Sequence, residues 1–210
     1  MVSASKEMVA YCFDTLVAYY LDGPVPPPAF DEGQHPLFVT WKILVDGELL
    51  LRGCIGTLEP TDLFDGMKDL ALASALRDDR FPAIEATEIP NLECTVSVLT
   101  DYEPAGSYLD WEIGKHGIEI EFIDAQNTRR HATFLPKVAA EQGWTKTETI
   151  DSLIEKSGYM GPITQSLRRS LRITRYQSSL YTMNYNDYLI VVTANDRYCR
   201  SYRDKAMSLL

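Results

Sequence analysis

The chain has 210 residues, 45% of them hydrophobic and 24% charged, the proportions of an ordinary globular protein with one sizeable core rather than of a disordered chain. Lys and Arg total 20 against 30 Asp and Glu, a formal charge of -10, which repels a phosphate backbone and makes nucleic acid an unfavoured partner.

The N-terminus, Met1-Val2-Ser3-Ala4-Ser5-Lys6-Glu7, lacks the charged-then-apolar layout of a signal peptide. No apolar run reaches the length of a membrane span; Leu189-Ile190-Val191-Val192 is far too short. An intracellular, reducing setting is therefore expected. Cys12, Cys54, Cys94 and Cys199 form no CxxC pair, which argues against disulfides and a thiolate zinc site.

A first helix is expected over Ser5–Leu21, because Val9, Cys12, Phe13, Leu16, Val17 and Tyr20 repeat at i, i+3, i+4 and i+7. Asp22-Gly23-Pro24 ends it. The following Pro24-Val25-Pro26-Pro27-Pro28 fits the PxxP pattern of SH3-type ligands, but prolines between elements are commonplace and a stiff connector is the preferred reading. Phe38–Val45 and Glu48–Ile55 read as a hairpin about Asp46-Gly47, since a type I′ turn needs positive φ at both central residues. That turn pairs Val45 with Glu48, Ile43 with Leu50, Trp41 with Arg52 and Val39 with Cys54 on one face.

Thr61 is positioned to cap a helix through about Ala75, and Asp78-Asp79-Arg80-Phe81-Pro82 closes it. Asn91–Thr100 alternates as a strand with Cys94, Val96 and Val98 on one face. Gly117–Phe122 and Thr128–Phe134 suggest a second hairpin around Asp124–Asn127. Pro136 and Gly143 bracket a short helix, and Thr147 and Gly158 another. Ser170–Met183 reads as a long, partly polar strand, and beyond Asn195 the polar tail is expected to fray. Hairpins rather than alternating strands and helices favour an α+β fold, a mainly antiparallel sheet flanked by helices. Residues 1–190 are expected to form one domain and 191–210 a polar C-terminal tail.

The segment Leu51-Arg52-Gly53-Cys54-Ile55-Gly56 stands out. Glycine inside a strand marks a bulge or a close approach by backbone or ligand. Arg52 and Cys54 are two residues apart and so share a face, where the guanidinium would favour the thiolate, and Trp41 opposite Arg52 would stack on it. The plain alternative is a core cysteine and a structural arginine, which if buried needs a carboxylate such as Asp79, Glu93 or Glu119. Asp79 and Arg80 follow a helix end, where Asp79 is placed to anchor Arg52 and Arg80 to face a ligand, or both are simply solvated.

The hexapeptide LRGCIG resembles the signature of the AMMECR family. So do Ser74–Pro82, Tyr108–Glu112, His116–Ile118, Leu135–Ala139, Thr149–Leu153 and Leu171–Tyr176, in that order. The resemblance covers the chain up to about residue 190 and is strongest to the eukaryotic branch. It implies an α+β fold of a larger and a smaller subdomain, with the signature at or near a cleft between them. The family has no settled activity. Its microbial members are often encoded beside a Memo-type and a radical-SAM protein, and its eukaryotic members are described as nuclear or cytoplasmic regulatory proteins.

His116 shares its face with Ile118, Ile120 and Phe122, the setting of a hydrogen-bonded core histidine; as a catalytic base it must reach Cys54. His131 alternates to the opposite, exposed face, and His35 lies in a loop. No two histidines have HxxxH or HExxH spacing, so no metal is implied. No glycine-rich phosphate loop is present, and no cofactor is implied. Arg168, Arg169, Arg172 and Arg175 suit either a phosphate-bearing ligand or a solvated face balancing acid.

Two functions follow. One is a regulatory module that binds an unknown protein or small molecule through Arg52, Gly53, Cys54, Gly56, Asp79 and Arg80. The other is an enzyme in which Cys54 is nucleophile or thiol catalyst, assisted by Arg52 and His116. The first ranks higher, because spacing fixes no second catalytic residue.

Overall fold

In the computed structural model, which describes residues 2–209, a serine opens the first helix. Ser5 is extended and its Oγ accepts from the Met8 amide at 3.3 Å, satisfying one of the donors a helix N-terminus leaves unpaired. Helix α1 then runs over Lys6–Tyr20, and every residue from Met8 to Ala18 is buried, so the helix is covered all round rather than along the single face its spacing predicts, and Tyr20 of that face is only partly buried.

Six strands follow in the chain: β1 (Gln34–Val45), β2 (Glu48–Asp62), β3 (Leu92–Pro104), β4 (Gly117–Ile123), β5 (Arg129–Phe134) and β6 (Arg172–Asn184). Their hydrogen-bonded order is β2-β1-β3-β6-β4-β5, and the registered pairings are antiparallel. Helices complete an α+β fold: α2 (Asp65–Leu76), α3 (Val138–Gln142), α4 (Lys146–Lys156), α5 (Gln165–Ser170), α6 (Tyr185–Ala194) and α7 (Arg200–Met207). The chain forms two compact units. The larger holds the residues up to Val98 and from Ser179 on, and the smaller holds Leu99–Ser178.

In the larger unit Asp46 and Gly47 have φ of 51° and 87°, the two positive values of a type I′ turn. Val45 faces Glu48 and Ile43 faces Leu50, as that turn dictates. The ladder then slips by one residue. Lys42 faces Leu51 but Trp41 faces Gly53, so Arg52 is the extra residue of a β-bulge. The predicted pairs Trp41–Arg52 and Val39–Cys54 are therefore replaced by Trp41–Gly53 and Thr40–Cys54. Trp41 does not stack on the arginine. It is fully buried, edge-on to Phe13 at 5.1 Å between centroids, and its Nε1 donates to the Ala71 carbonyl of α2 at 3.1 Å.

Helix α2 starts later than Thr61 suggests. Asp62 supplies the acceptor instead, taking the Phe64 and Asp65 amides at 2.8 and 2.9 Å. Cys12 and Cys94 are buried and free, and burial pushes the Cys94 thiol well up. Beyond Asn195 the chain does not fray. It folds into α7, whose Ala206 is buried and accepts from the Tyr185 hydroxyl at 2.7 Å. Buried Tyr185, Tyr188 and Tyr198 contribute to that packing.

The smaller unit has its own core of Trp111, Ile118, Ile120, Phe122, Ile150 and Leu153 with their neighbours. Its β4–β5 turn closes through the Asp124 carboxylate, which accepts from the Gln126 and Thr128 amides. Gly143 ends α3 at a φ of 67°, as a left-handed terminus requires. The cap of α4 is Thr145, not Thr147. Thr145 Oγ1 and Glu148 form a reciprocal capping box, and a hydroxyl two residues later lies inside the first turn.

Candidate functional site

The signature strand is shaped by two close approaches. A Cβ at Gly53 would stand 1.9 Å from the Ser74 carbonyl oxygen, so only glycine lets the end of α2 lie on β2. A Cβ at Gly56 would lie 2.2 Å from the Phe38 ring, which covers the strand there. Both glycines therefore admit parts of the same chain, and neither is exposed as a ligand cradle.

Arg52 makes an ion pair different from any foreseen. Its Nε and Nη2 donate to the two Glu88 carboxylate oxygens at 2.8 and 2.9 Å, and Nη1 and Nη2 also donate to the Pro82 and Ala83 carbonyls. The side chain is only 11% exposed. Burial opposes the ionised form of Glu88, but Arg52 and the Glu85 amide hold its carboxyl below the usual range. Asp79, the expected anchor, is exposed on the loop instead. Glu88 lies 36 residues from Arg52 on a 3-10 turn, Ala86–Asn91, and no local spacing marks it. Arg52 thus ties the segment after α2 to the bulge.

The neighbouring aspartate, Asp78, is buried and does what Asp79 does not. Its Oδ2 accepts from the Cys54 amide at 2.8 Å, and both its oxygens accept from Arg80, from Nε at 2.9 Å and from Nη2 at 2.7 Å. The Arg80 guanidinium, with the Cys54 amide, holds the Asp78 carboxyl far below the usual carboxylate range despite burial. Arg80 Nη2 also donates to the Cys54 carbonyl at 3.0 Å, and its guanidinium lies 5.4 Å from the Phe81 ring centroid. Its side chain stays 53% exposed, and Nη1 has no protein partner among the described residues. Cys54 Sγ accepts from the Thr40 hydroxyl at 3.1 Å, and the residue is half-buried.

The structure thus gathers Arg52, Gly53, Cys54, Gly56 and Arg80 around one stretch of β2. His116 belongs to the smaller unit. It is buried there, and its Nδ1 accepts from the Glu112 amide at 2.9 Å. Burial, then the charges of Lys115 and Arg175, lower its pKa and favour the neutral ring that this bond needs. His131 pairs with Glu119 at the surface. Three of the four clustered arginines are dispersed onto acids: Arg168 on Asp151, Arg172 on Glu121, and Arg175 on Glu103 and Asp110. Among the described residues, no group of three or more His, Cys, Asp or Glu is placed to hold a metal, and no helix is long and apolar enough to cross a membrane.

The AMMECR1 family model matches residues 9–181. The chain belongs to the AMMECR1 family. An uncharacterized protein of Arabidopsis thaliana is 62% identical over 196 residues, covering 92% of each chain. An uncharacterized Schizosaccharomyces pombe protein is 39% identical over 189 residues, 88% of this chain and 95% of that one. The crystal structure of an uncharacterized Pyrococcus horikoshii protein superposes with a TM-score of 0.61 at 24% identity, covering 84% of this chain and 90% of that chain, a likeness of fold. The family assignment rests on the family model over residues 9–181 and on the identity to these relatives. These three proteins are themselves uncharacterized, so they bring no activity to this chain.

Proposed function

We propose that this AMMECR1 protein is an intracellular regulatory module, cytoplasmic or nuclear, that binds a partner or small ligand at the signature strand, with Arg80 as the presented donor. The observation that carries this is the contrast between the two arginines. Arg52 is occupied by a carboxylate and two carbonyls. Arg80 is exposed, its plane is fixed by Asp78, and one guanidinium nitrogen points to no protein acceptor among the described residues. A fixed guanidinium with an available N–H suits an oxygen acceptor such as a carboxylate, a phosphate or a peptide carbonyl. Affinity capture with wild type and Arg80→Ala, at matched urea midpoints, tests it. Loss of a reproducible set of partners in the variant supports the reading, and identical capture overturns it.

The enzyme reading keeps one observation in its favour: Cys54 is only half-buried and its thiol takes a hydrogen bond from Thr40. Arg52 is directed elsewhere, and no hydrogen bond joins a histidine or carboxylate side chain to the sulfur among the described residues. Site-resolved iodoacetamide labelling at neutral pH separates the two. The module reading expects Cys54 to react no faster than a free thiol; labelling tens of times faster would favour the enzyme.

A further inference from the structure

The outer edge of β2 is open over one short stretch and closed at the next. β2 is the last strand of the order, so alternate residues turn N–H and C=O away from β1. The turn says which ones. A two-residue type I′ loop makes Val45–Glu48 the hydrogen-bonded pair. Leu44–Leu49 and Lys42–Leu51 are then the pairs without mutual bonds, and Leu49 and Leu51 direct their backbone groups outward. Neither makes a hydrogen bond beyond the strand ladder among the described residues.

Past the bulge the same situation recurs at Cys54, opposite Thr40. There Asp78 accepts from the outward N–H at 2.8 Å and Arg80 donates to the outward C=O at 3.0 Å. An ion pair thus offers one acceptor and one donor, as a neighbouring strand would, and closes the edge. Leu49 and Leu51 have no such cover. The side chains around them are apolar: Leu44, Val45, Leu49, Leu50 and Leu51 are each 42–48% exposed. An open strand edge carrying exposed leucines invites another chain to pair with it.

We infer that Glu48–Arg52 is a strand-acceptor site for an extended segment of another protein, apolar at alternate positions and bearing lysine or arginine. Charge selects the basic partner. Exposed Asp46 and Glu48 lie at the turn between Val45 and Leu49, at one end of this stretch, and the whole chain carries -10. A second copy would bring -10 against -10. Five side chains less than half exposed also offer on the order of a few hundred Å², short of the ~800 Å² per partner that a stable dimer buries. The site lies beside Arg80 and does not depend on it.

The test is amide hydrogen exchange by NMR on the full chain. The probe is a synthetic acetylated peptide of about seven residues alternating valine and lysine, with a version N-methylated at alternate backbone nitrogens as control. We expect exchange at Leu49 and Leu51 to slow about tenfold or more with peptide, Leu50 to be unaffected, and the N-methylated peptide to bind about tenfold more weakly. Leu51→Lys should weaken the unmodified peptide to a similar degree. Equal affinity of the two peptides, or no slowing at Leu49 and Leu51 at millimolar peptide, would overturn the inference. So would slowing that rises with protein concentration alone, which would assign the edge to a second copy.

Discussion

Asp14 and Asp78 are both buried aspartates of the larger unit, and they respond to burial in opposite ways. Asp14 is 0% exposed in α1. Its carboxylate accepts from the Tyr188, Tyr198 and Tyr202 hydroxyls at 2.8, 3.0 and 3.1 Å and from Arg197 Nη2 at 3.0 Å. Burial nonetheless pushes its pKa up to about 6, with the three hydroxyls and Arg197 only partly offsetting it. Asp78 has fewer partners, yet its pKa falls. The difference is depth and donor charge. Arg80 grips both Asp78 oxygens from a position open to water, so the pair forms without dehydrating the cation. Asp14 must ionise in a dry site served mainly by neutral hydroxyls. Four hydrogen bonds can fix a helix in place while leaving the charge itself disfavoured.

That contrast yields a ranking of effects. The largest is expected at Asp14, because Asp14→Ala leaves the Arg197 guanidinium, 13% exposed, without its anion and removes the acceptor that joins α1 to α6, α7 and the turn between them. A loss of about 3–5 kcal/mol in urea denaturation is expected; a loss below about 1 kcal/mol would mean the cluster is solvated. Next comes pH. The folded pKa of about 6 lies above the unfolded value, so the folded state holds the extra proton and stability is lost as pH rises from about 4 to 6. Relative to Asp14→Asn, wild type should lose about 3 kcal/mol across that window. Asp78 has the opposite sign: its contribution is full above the unfolded pKa and declines as pH falls below about 4. A flat difference curve between wild type and Asp14→Asn would show that Asp14 is ionised as readily folded as unfolded.

A smaller effect is expected at the signature. Gly53→Ala places a methyl group against the Ser74 carbonyl, and the backbone of α2 cannot rotate aside as a side chain would. A cost of about 1–3 kcal/mol in urea denaturation is expected. A cost near zero would show that α2 yields at its C-terminal end, and the tight α2–β2 contact would then not explain this glycine.

The parts that sequence made legible share a cause. Ser5 and Asp46-Gly47 act within three or four residues of themselves, so their chemistry can be read in place. The hairpin register followed from the turn as far as Lys42–Leu51. It failed at Arg52, where a carbonyl of α2, contributed by Ser74, meets Gly53 and the strand accommodates an extra residue. The partners of Arg52 and of the Cys54 amide were not legible, since Glu88 and Asp78 lie 36 and 24 residues away. The C-terminal helices were missed for the same reason. Asp14 meets Tyr188 across 174 residues, and no local spacing marks that pairing.

The smallest expected effect is the sharpest check on that reading. The sequence reading names Asp79 as the anchor, but Asp78 and Asp79 both follow the helix and only the three-dimensional path of the loop tells them apart. In the structure Asp78 turns inward to the Cys54 amide and Arg80, while Asp79 is exposed. Asp79→Ala should therefore change stability by no more than about 0.5 kcal/mol. Asp78→Ala should cost about 1–3 kcal/mol, because it leaves the Cys54 amide without an acceptor and Arg80 without its bidentate grip. Urea denaturation of the two variants side by side decides the matter. If Asp79→Ala cost as much as Asp78→Ala, the loop would present both carboxylates to β2 in turn, and Arg80 would lack the fixed orientation on which its role as presented donor depends.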